Sequence, residues 1–388
     1  DCWLRCPWHG WDFHPLTGRS PGAHDDGVPT YPVEQRDDGV YVAVKESTAH
    51  TPTISDRMAE TMTNWGVTHV FGMVGHSNLG LADALRLQEE AGRLTYIGIR
   101  HEGAAAFAAS GYAKLTGKPA ACLSIAGPGA TNLLTGLWDA KVDRAPVIAL
   151  TGQVDSQVLG PGAFQEIDLA SAFAPVAKFS QTVLRDSRAV ELMNLACKKA
   201  IVERDVAHLI FPDEVQTLPA PETMQAGNPD GRLGDRAMLP ATPALGAALQ
   251  RLKDARRPVI IVGYGAVDRM DEVIRLAEKL HAPVLTTFKA KGQIADDHPL
   301  ADGVLGRSGT PVASWFMNEA DVLLLFGASF SNHTGITAKK PIIQVDFDAM
   351  TLGKFHPVEL PVLGEIGLTA EWLWRALPEQ TAAQDQRA

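Results

Sequence analysis

Positive charge is in short supply. Lys and Arg number 35 against 45 Asp and Glu, a formal net charge of -10 with His neutral, so a sequence-independent grip on nucleic acid or on an anionic membrane is not expected. Cysteine is scarcer still. Cys2, Cys6, Cys122 and Cys197 are too few and too scattered to frame a disulfide-built secreted module, and reduced thiols are expected. No run reaches about 18 apolar residues, which excludes a transmembrane helix. No basic-then-apolar leader opens the sequence, so a soluble, cytoplasmic chain is expected. Repeats of solenoid period are absent too. The sequence begins at Asp1 inside a dense motif, which reads as a fragment. What is plentiful is ordinary globular material: 388 residues, 45% hydrophobic and 21% charged, enough for two or three cores at roughly 100 to 200 residues each. The expected partner is a small molecule.

Three composition regimes follow one another. Residues 1–46 hold Trp3, Trp8 and Trp11, many Gly, Pro and Asp, and an alternating run over 39–44 that suits a short strand. After a polar linker, residues 52–220 alternate helical periodicity with short apolar runs at 67–72, 94–99, 120–125 and 147–150, with an Ala-rich helix over 103–115 between two of them. Residues 219–240 read as a Gly/Pro-rich linker. A second unit over 240–378 has apolar runs at 258–263, 283–287, 322–327 and 341–346 and a helix over 271–280, and residues 379–388 form a polar tail. Strands alternating with helices predict an α/β chain: two doubly wound parallel-sheet domains preceded by a small all-β piece.

Cys6-Pro7-Trp8-His9 sets a thiolate and an imidazole three residues apart, within reach of a single metal centre. Two ligands do not hold a metal. With Thr17-Gly18, Tyr31-Pro32-Val33 and the run Asp37 to Val42, the segment resembles the second half of a Rieske iron–sulfur domain. That resemblance implies a [2Fe-2S] cluster with Cys6 and His9 as two of its ligands and an upstream Cys-x-His pair as the others. The competing reading makes Cys6 and His9 ordinary loop residues, or half of a zinc site with Cys2 or His14.

His101-Glu102 follows one apolar run and opens a helix, where a carboxylate is stabilised by the helix N-terminus whether or not it has a function. The surroundings add to it. Gly127-Pro128-Gly129-Ala130-Thr131-Asn132 makes a tight turn into a helix after the next run. With 71–78 and 151–153, these loops gather at the carboxyl ends of parallel strands, where ligands bind in such sheets. Gly75, Arg100-His101-Glu102-Gly103-Ala104, Gly127 to Asn132 and Phe164-Gln165-Glu166 together resemble thiamine-diphosphate-dependent enzymes of the pyruvate oxidase and acetolactate synthase group, over residues 54 to about 375. The resemblance implies a pyrimidine-binding domain and a middle domain.

By the same resemblance, Glu102 bonds the aminopyrimidine and promotes cofactor activation. His76 stands where related decarboxylases carry a proton-handling acid, and Phe164 and Gln165 match a substrate-side pair. Val74, Gly75, Gly127, Pro128 and Asn132 fall on the cofactor side. Glu102, His76 and Gln165 are thus the expected catalytic set. Magnesium and the diphosphate are held in the family by a third domain with no counterpart among these residues, and FAD occupies the middle domain of some members. Val262-Gly263-Tyr264-Gly265 is only a truncated dinucleotide fingerprint. The expected activity is decarboxylation of a 2-oxo acid such as pyruvate with oxidative transfer of the two-carbon unit. Acetolactate synthase-type carboligation, a Rieske-type electron-transfer protein with an α/β scaffold, and a nucleotide-binding regulator are the alternatives. A homodimer or homotetramer is implied.

Overall fold

The computed structural model describes residues 3–6, 12–21, 27–43, 50–185, 187–379 and 382–386. The chain divides into two units, Asp1–Leu233 and Gly234–Ala388. In the amino-terminal part of unit 1, β1 (Leu4–Arg5) pairs antiparallel with β2 (Asp12–Phe13), and β3 (Val33–Arg36) with β4 (Gly39–Val42). Arg5 clamps Asp12 bidentately at 2.9 and 2.9 Å across the first pair. Every residue of β3 and β4 is exposed, and a two-stranded ribbon without a covered face has little stability of its own.

The main sheet of unit 1 is built from β5 (His69–Gly72), β6 (Thr95–Gly98), β7 (Ala120–Ser124), β8 (Val147–Gln153), β9 (Phe179–Thr182) and β10 (Val206–Pro212). Its order is β6-β5-β7-β8-β10-β9, and every pairing is parallel. The central strands β7, β8 and β10 are buried along their whole length, as a sheet covered on both faces requires. Alternation then sorts their side chains. Ala121, Leu123, Ile148 and Leu150 join one core with Met58, Met62 and Met193, while Cys122, Val147 and Ala149 join the opposite core with Ala106, Ala109, Leu137 and Phe173. Both central thiols are buried and unbridged. Burial pushes Cys122 up to about 12, with Cys197 raised for the same reason, so neither is a nucleophile.

The helix Glu102–Thr116 begins at His101, whose Nδ1 accepts from the Gly103 N–H at 3.1 Å, and stops at Gly117 with φ 68°. It lies very close to the helix Leu134–Val142, because Ala106 on one faces Gly136 on the other: a Cβ on Gly136 would sit 2.6 Å from Cβ of Ala106. Small residues therefore fix where Glu102 emerges.

Unit 2 holds β11 (Pro258–Val262), β12 (Val284–Thr286), β13 (Ala301–Val304), β14 (Val322–Phe326), β15 (Ile342–Asp346) and β16 (Leu360–Leu363). The parallel order is β13-β12-β11-β14-β15-β16. Numbered within the unit this is 3-2-1-4-5-6, the order of dinucleotide-binding sheets. At the reversal between β11 and β14, Gly263 and Gly265 are filled by protein rather than facing a groove: a Cβ on Gly263 would lie 2.2 Å from Gly327 O and 2.4 Å from Cα of Ala328. The Gly-x-Gly turn is thus explained by backbone packing. Gly263→Ala is expected to cost unit 2 about 1–3 kcal/mol or more through overpacking, read as a lower unfolding midpoint. An unchanged midpoint would remove this account of the turn.

The stretch expected as a linker over 219–240 is laid against unit 1 for most of its length. Ala220 N donates to Pro52 O, Gly227 N to Thr61 Oγ1, and Arg232 forks onto Glu191 at 2.9 and 3.1 Å. In the polar tail, Gln384 N donates to Arg256 O at 2.8 Å and Gln386 Nε2 to Pro258 O at 3.0 Å. No helix among the described residues is long and apolar enough to cross a membrane.

Candidate functional site

The order of the unit 1 sheet reverses between β5 and β7, and loops leave the carboxyl ends of both strands there. Glu102, the first residue of its helix, is only 7% exposed. Its Oε2 accepts from the Asn132 side-chain amide at 3.0 Å, and the helix N-terminus favours the charge it carries when ionised. The other oxygen points at Gly129, where a Cβ would stand 3.1 Å from Oε1 and 2.6 Å from Cγ1 of Ile125. There is no room for a side chain at Gly129, so the backbone of the turn comes directly against that oxygen.

Asn132 closes a five-residue helix, Pro128–Asn132, with Pro128 in its first turn, preceded by Gly127 at φ 63° and ψ -128°. A side chain strains at such a φ, and here it has no room either: a Cβ on Gly127 would lie 2.5 Å from Gln165 O. That contact joins the Gly-Pro-Gly loop to the loop bearing Phe164-Gln165-Glu166. Gln165 itself has φ 67°, and its Oε1 is buried without a hydrogen-bond partner. Non-glycine residues held in this region cost of order 1–3 kcal/mol and gather at functional sites. Glu166 knots the loop, accepting from the N–H groups of Gly160, Gly162 and Ala163 at 2.7, 3.1 and 2.9 Å. Those bonds, led by Gly160 and Ala163, hold its carboxyl below the usual range against a smaller opposing effect of burial. Phe164 projects to solvent, 81% exposed.

The structure therefore brings Glu102, Asn132, Gly127, Pro128 and Gln165 together, with Gly75 beside them, since its Cα packs on Ile125. Val74 and His76 flank Gly75 as exposed residues. Gly129, legible in the sequence only as part of the Gly127 to Asn132 turn, is a direct neighbour of the Glu102 carboxyl. Cys6 is described, His9 lies outside the described residues, and among the described residues no group of three or more His, Cys, Asp or Glu could hold a metal ion.

Comparison with known proteins falls on the same two units. Residues 52–172 match the family model of the thiamine pyrophosphate enzyme N-terminal TPP binding domain, and residues 245–373 match that of the central domain. This chain belongs to the thiamine pyrophosphate enzyme family. It is 34% identical over 321 residues to the acetolactate synthase of Arthrospira platensis, covering 80% of this chain and 55% of that protein. It is 32% identical over 318 residues to the acetolactate synthase isozyme 1 large subunit of Escherichia coli strain K12, covering 78% and 54%. With the pyruvate oxidase of Lactiplantibacillus plantarum it shares 33% over 308 residues, covering 78% and 50%. The chain spans about half the length of these relatives. The N-terminal family match contains Glu102, Gly127, Asn132 and Gln165; the segment before residue 52 lies outside both matches.

Proposed function

We propose that this chain carries the proton-handling part of a thiamine-diphosphate-dependent site that decarboxylates a 2-oxo acid such as pyruvate. The observation behind this is Glu102: a carboxyl group 7% exposed at a strand-to-helix junction, bonded at Oε2 by the Asn132 amide and lying with Oε1 against the backbone at Gly129. These residues fit the aminopyrimidine end of the cofactor, a flat ring with a nitrogen able to share a proton. When bound, thiamine diphosphate supplies a carbon nucleophile and a sink for the electron pair left as carbon dioxide departs. The protein's part is then to hold a proton at Glu102 Oε1 and keep water from it, while Asn132 fixes the carboxyl plane. Gln165, with its unpartnered Oε1, is proposed to meet the substrate side together with Phe164. His76, exposed beside Gly75, is proposed to exchange the proton that settles the fate of the two-carbon unit.

Oxidative transfer of that unit is our first reading, by association with Cys6 and His9 and with the relative named pyruvate oxidase. Carboligation is the second, supported by the relatives named acetolactate synthase. FAD is a proposal for unit 2 that rests on strand order, since the glycines of its turn serve packing. No magnesium ligands are assigned among these residues. Cys6 and His9 would give two of the four ligands an iron–sulfur cluster needs. The test is carbon dioxide release from pyruvate with thiamine diphosphate and magnesium, with reduction of an artificial electron acceptor and formation of acetolactate measured side by side. Acceptor reduction without acetolactate fits the first reading, the reverse fits the second, and no cofactor-dependent release from a preparation that also supplies the family's diphosphate-binding domain rejects both.

A homo-oligomer is proposed as well. Phe107 and Leu115 on the helix Glu102–Thr116, and Trp138 and Val142 on its neighbour, are 47, 90, 51 and 54% exposed, more large apolar surface than two adjacent helices usually leave in water. Trp138→Glu is expected to shift the protein towards monomer in sedimentation velocity. An unchanged distribution would move the interface elsewhere.

A further inference from the structure

The chemistry above uses Gln165 and gives no task to what holds it. Gln165 is third in a four-residue turn, in which Glu166 N–H donates to Ala163 O at 2.9 Å. Its φ is 67°, while that of Phe164 is negative, the pattern of a type II turn, whose third position favours Gly or Asn. The same loop does have glycines, Gly160 and Gly162, with φ 106° and 92°. At the turn position where glycine would be relaxed it carries a long amide side chain instead, and strain of that kind persists only where the surroundings over-determine it.

The side chain of Glu166 does this. Its Oε2 accepts from Ala163 N–H at 2.9 Å, so Ala163 and Glu166 are joined twice across Phe164 and Gln165, main chain to main chain and main chain to carboxylate. The same group accepts from Gly160 N–H at 2.7 Å and from Gly162 N–H at 3.1 Å. Those donors converge because the two glycines turn the backbone in the left-handed sense rather than for want of space, since a Cβ on either would meet nothing within 4 Å. Backbone N–H groups gathered in this way make an anion-binding concavity, and here the occupant is the chain's own carboxylate. At the base of the loop, the buried Gln153 closes β8 onto the far side of the turn, donating from Nε2 to Ile167 O at 2.9 Å. Gln165 is left bearing on Gly127 through its carbonyl oxygen, Cα and Cβ.

We propose that Glu166 is a positioning residue for Gln165: its carboxylate keeps the turn in a strained sense that an untied loop would leave, and so holds Gln165 against the Gly-Pro-Gly loop. This rests on the reading of Gln165 as a substrate-side residue, and the experiment separates the two. Thermal unfolding of the 388-residue chain reads the strain without any cofactor, with Gln165→Gly made both in the parent and in Glu166→Ala. The freedom that glycine adds to the unfolded chain is the same in both backgrounds and cancels between them. Gln165→Gly is expected to shift the midpoint more favourably in the parent than in Glu166→Ala, by about 2 °C or more. Glu166→Gln, which loses one of the two accepting oxygens, serves should Glu166→Ala not fold. Equal shifts in the two backgrounds overturn the proposal. In turnover with the family's diphosphate-binding domain supplied, Glu166→Ala is expected to lower kcat roughly tenfold or more, and Glu166→Gln to keep part of it. Full kcat in Glu166→Ala where Gln165→Ala has lost it also overturns the proposal. Full kcat in both removes the substrate role of Gln165, and this proposal with it.

Discussion

Glu102→Gln is expected to lower cofactor-dependent decarboxylation by about 10²- to 10⁴-fold, the span a positioned acid–base group contributes, while leaving the fold intact. Glutamine has the shape of glutamate and keeps an oxygen to accept the Asn132 amide now bonded at 3.0 Å. It stays clear of Gly129 as glutamate does, and as an uncharged group at a helix start it forgoes only a fraction of a kcal/mol to about 1 kcal/mol of favourable interaction with the helix dipole. What it cannot do is gain and lose a proton as a carboxyl group does. Stability and activity should therefore separate, with an unfolding midpoint near that of the parent and a rate close to background. Asn132→Ala, which frees the carboxyl without removing it, should cost less than Glu102→Gln. A Glu102→Gln protein turning over within a factor of two of the parent would reject the assignment of Glu102.

How far the sequence could carry such an assignment differs from residue to residue. The buried strands β5, β7, β8, β11, β12, β14 and β15 coincide with apolar runs, because a strand covered on both faces has almost no polar positions. The edge strands β9 and β13 escape notice because they are partly polar, Phe-Ser-Gln-Thr and Ala-Asp-Gly-Val, and the edge strand β16 because its four residues, Leu-Pro-Val-Leu, are interrupted by a proline. β10 escapes for another reason, since His208 interrupts its apolar run. Glu102 is legible because it stands at a strand-to-helix junction, a position local sequence defines. Gln216 is not: its bonds to Leu81 and Ser77 cross 135 and 139 residues of chain, and nothing within either segment announces the other. The Gly-x-Gly turn at 263–265 shows the opposite error. Its local pattern suits a nucleotide, and its glycines answer to the backbone of Gly327.

His208 leads to the second large effect, which falls on stability as pH drops. It is fully buried in β10, with Nε2 2.9 Å from Thr151 Oγ1 and Nδ1 2.9 Å from Ser180 Oγ, and its ring lies on Phe173 at 3.8 Å between centroids. The two hydroxyls satisfy both ring nitrogens of the neutral imidazole but offer no negative charge to a cation, so desolvation pushes the group down to about 3. An unfolded histidine titrates near 6.5. Between those values the unfolded chain binds a proton that the folded chain refuses, so stability rises with pH and is lost as pH falls, by about 1.4 kcal/mol per unit. Most of the carboxylates held low by hydrogen bonds, Glu166, Asp168, Glu191 and Glu203, add their losses only below about 4.5. From pH 6.5 to 4.5 His208 is thus expected to remove about 2 to 3 kcal/mol from unit 1, a large part of a typical domain's margin. Urea unfolding at half-unit steps of pH checks this, with His208→Gln beside the parent. The variant should start less stable at pH 7.5, having lost the stacked ring, yet show a nearly flat profile across that window. Parallel profiles in the two proteins would mean that the acid sensitivity of unit 1 lies elsewhere than in this imidazole.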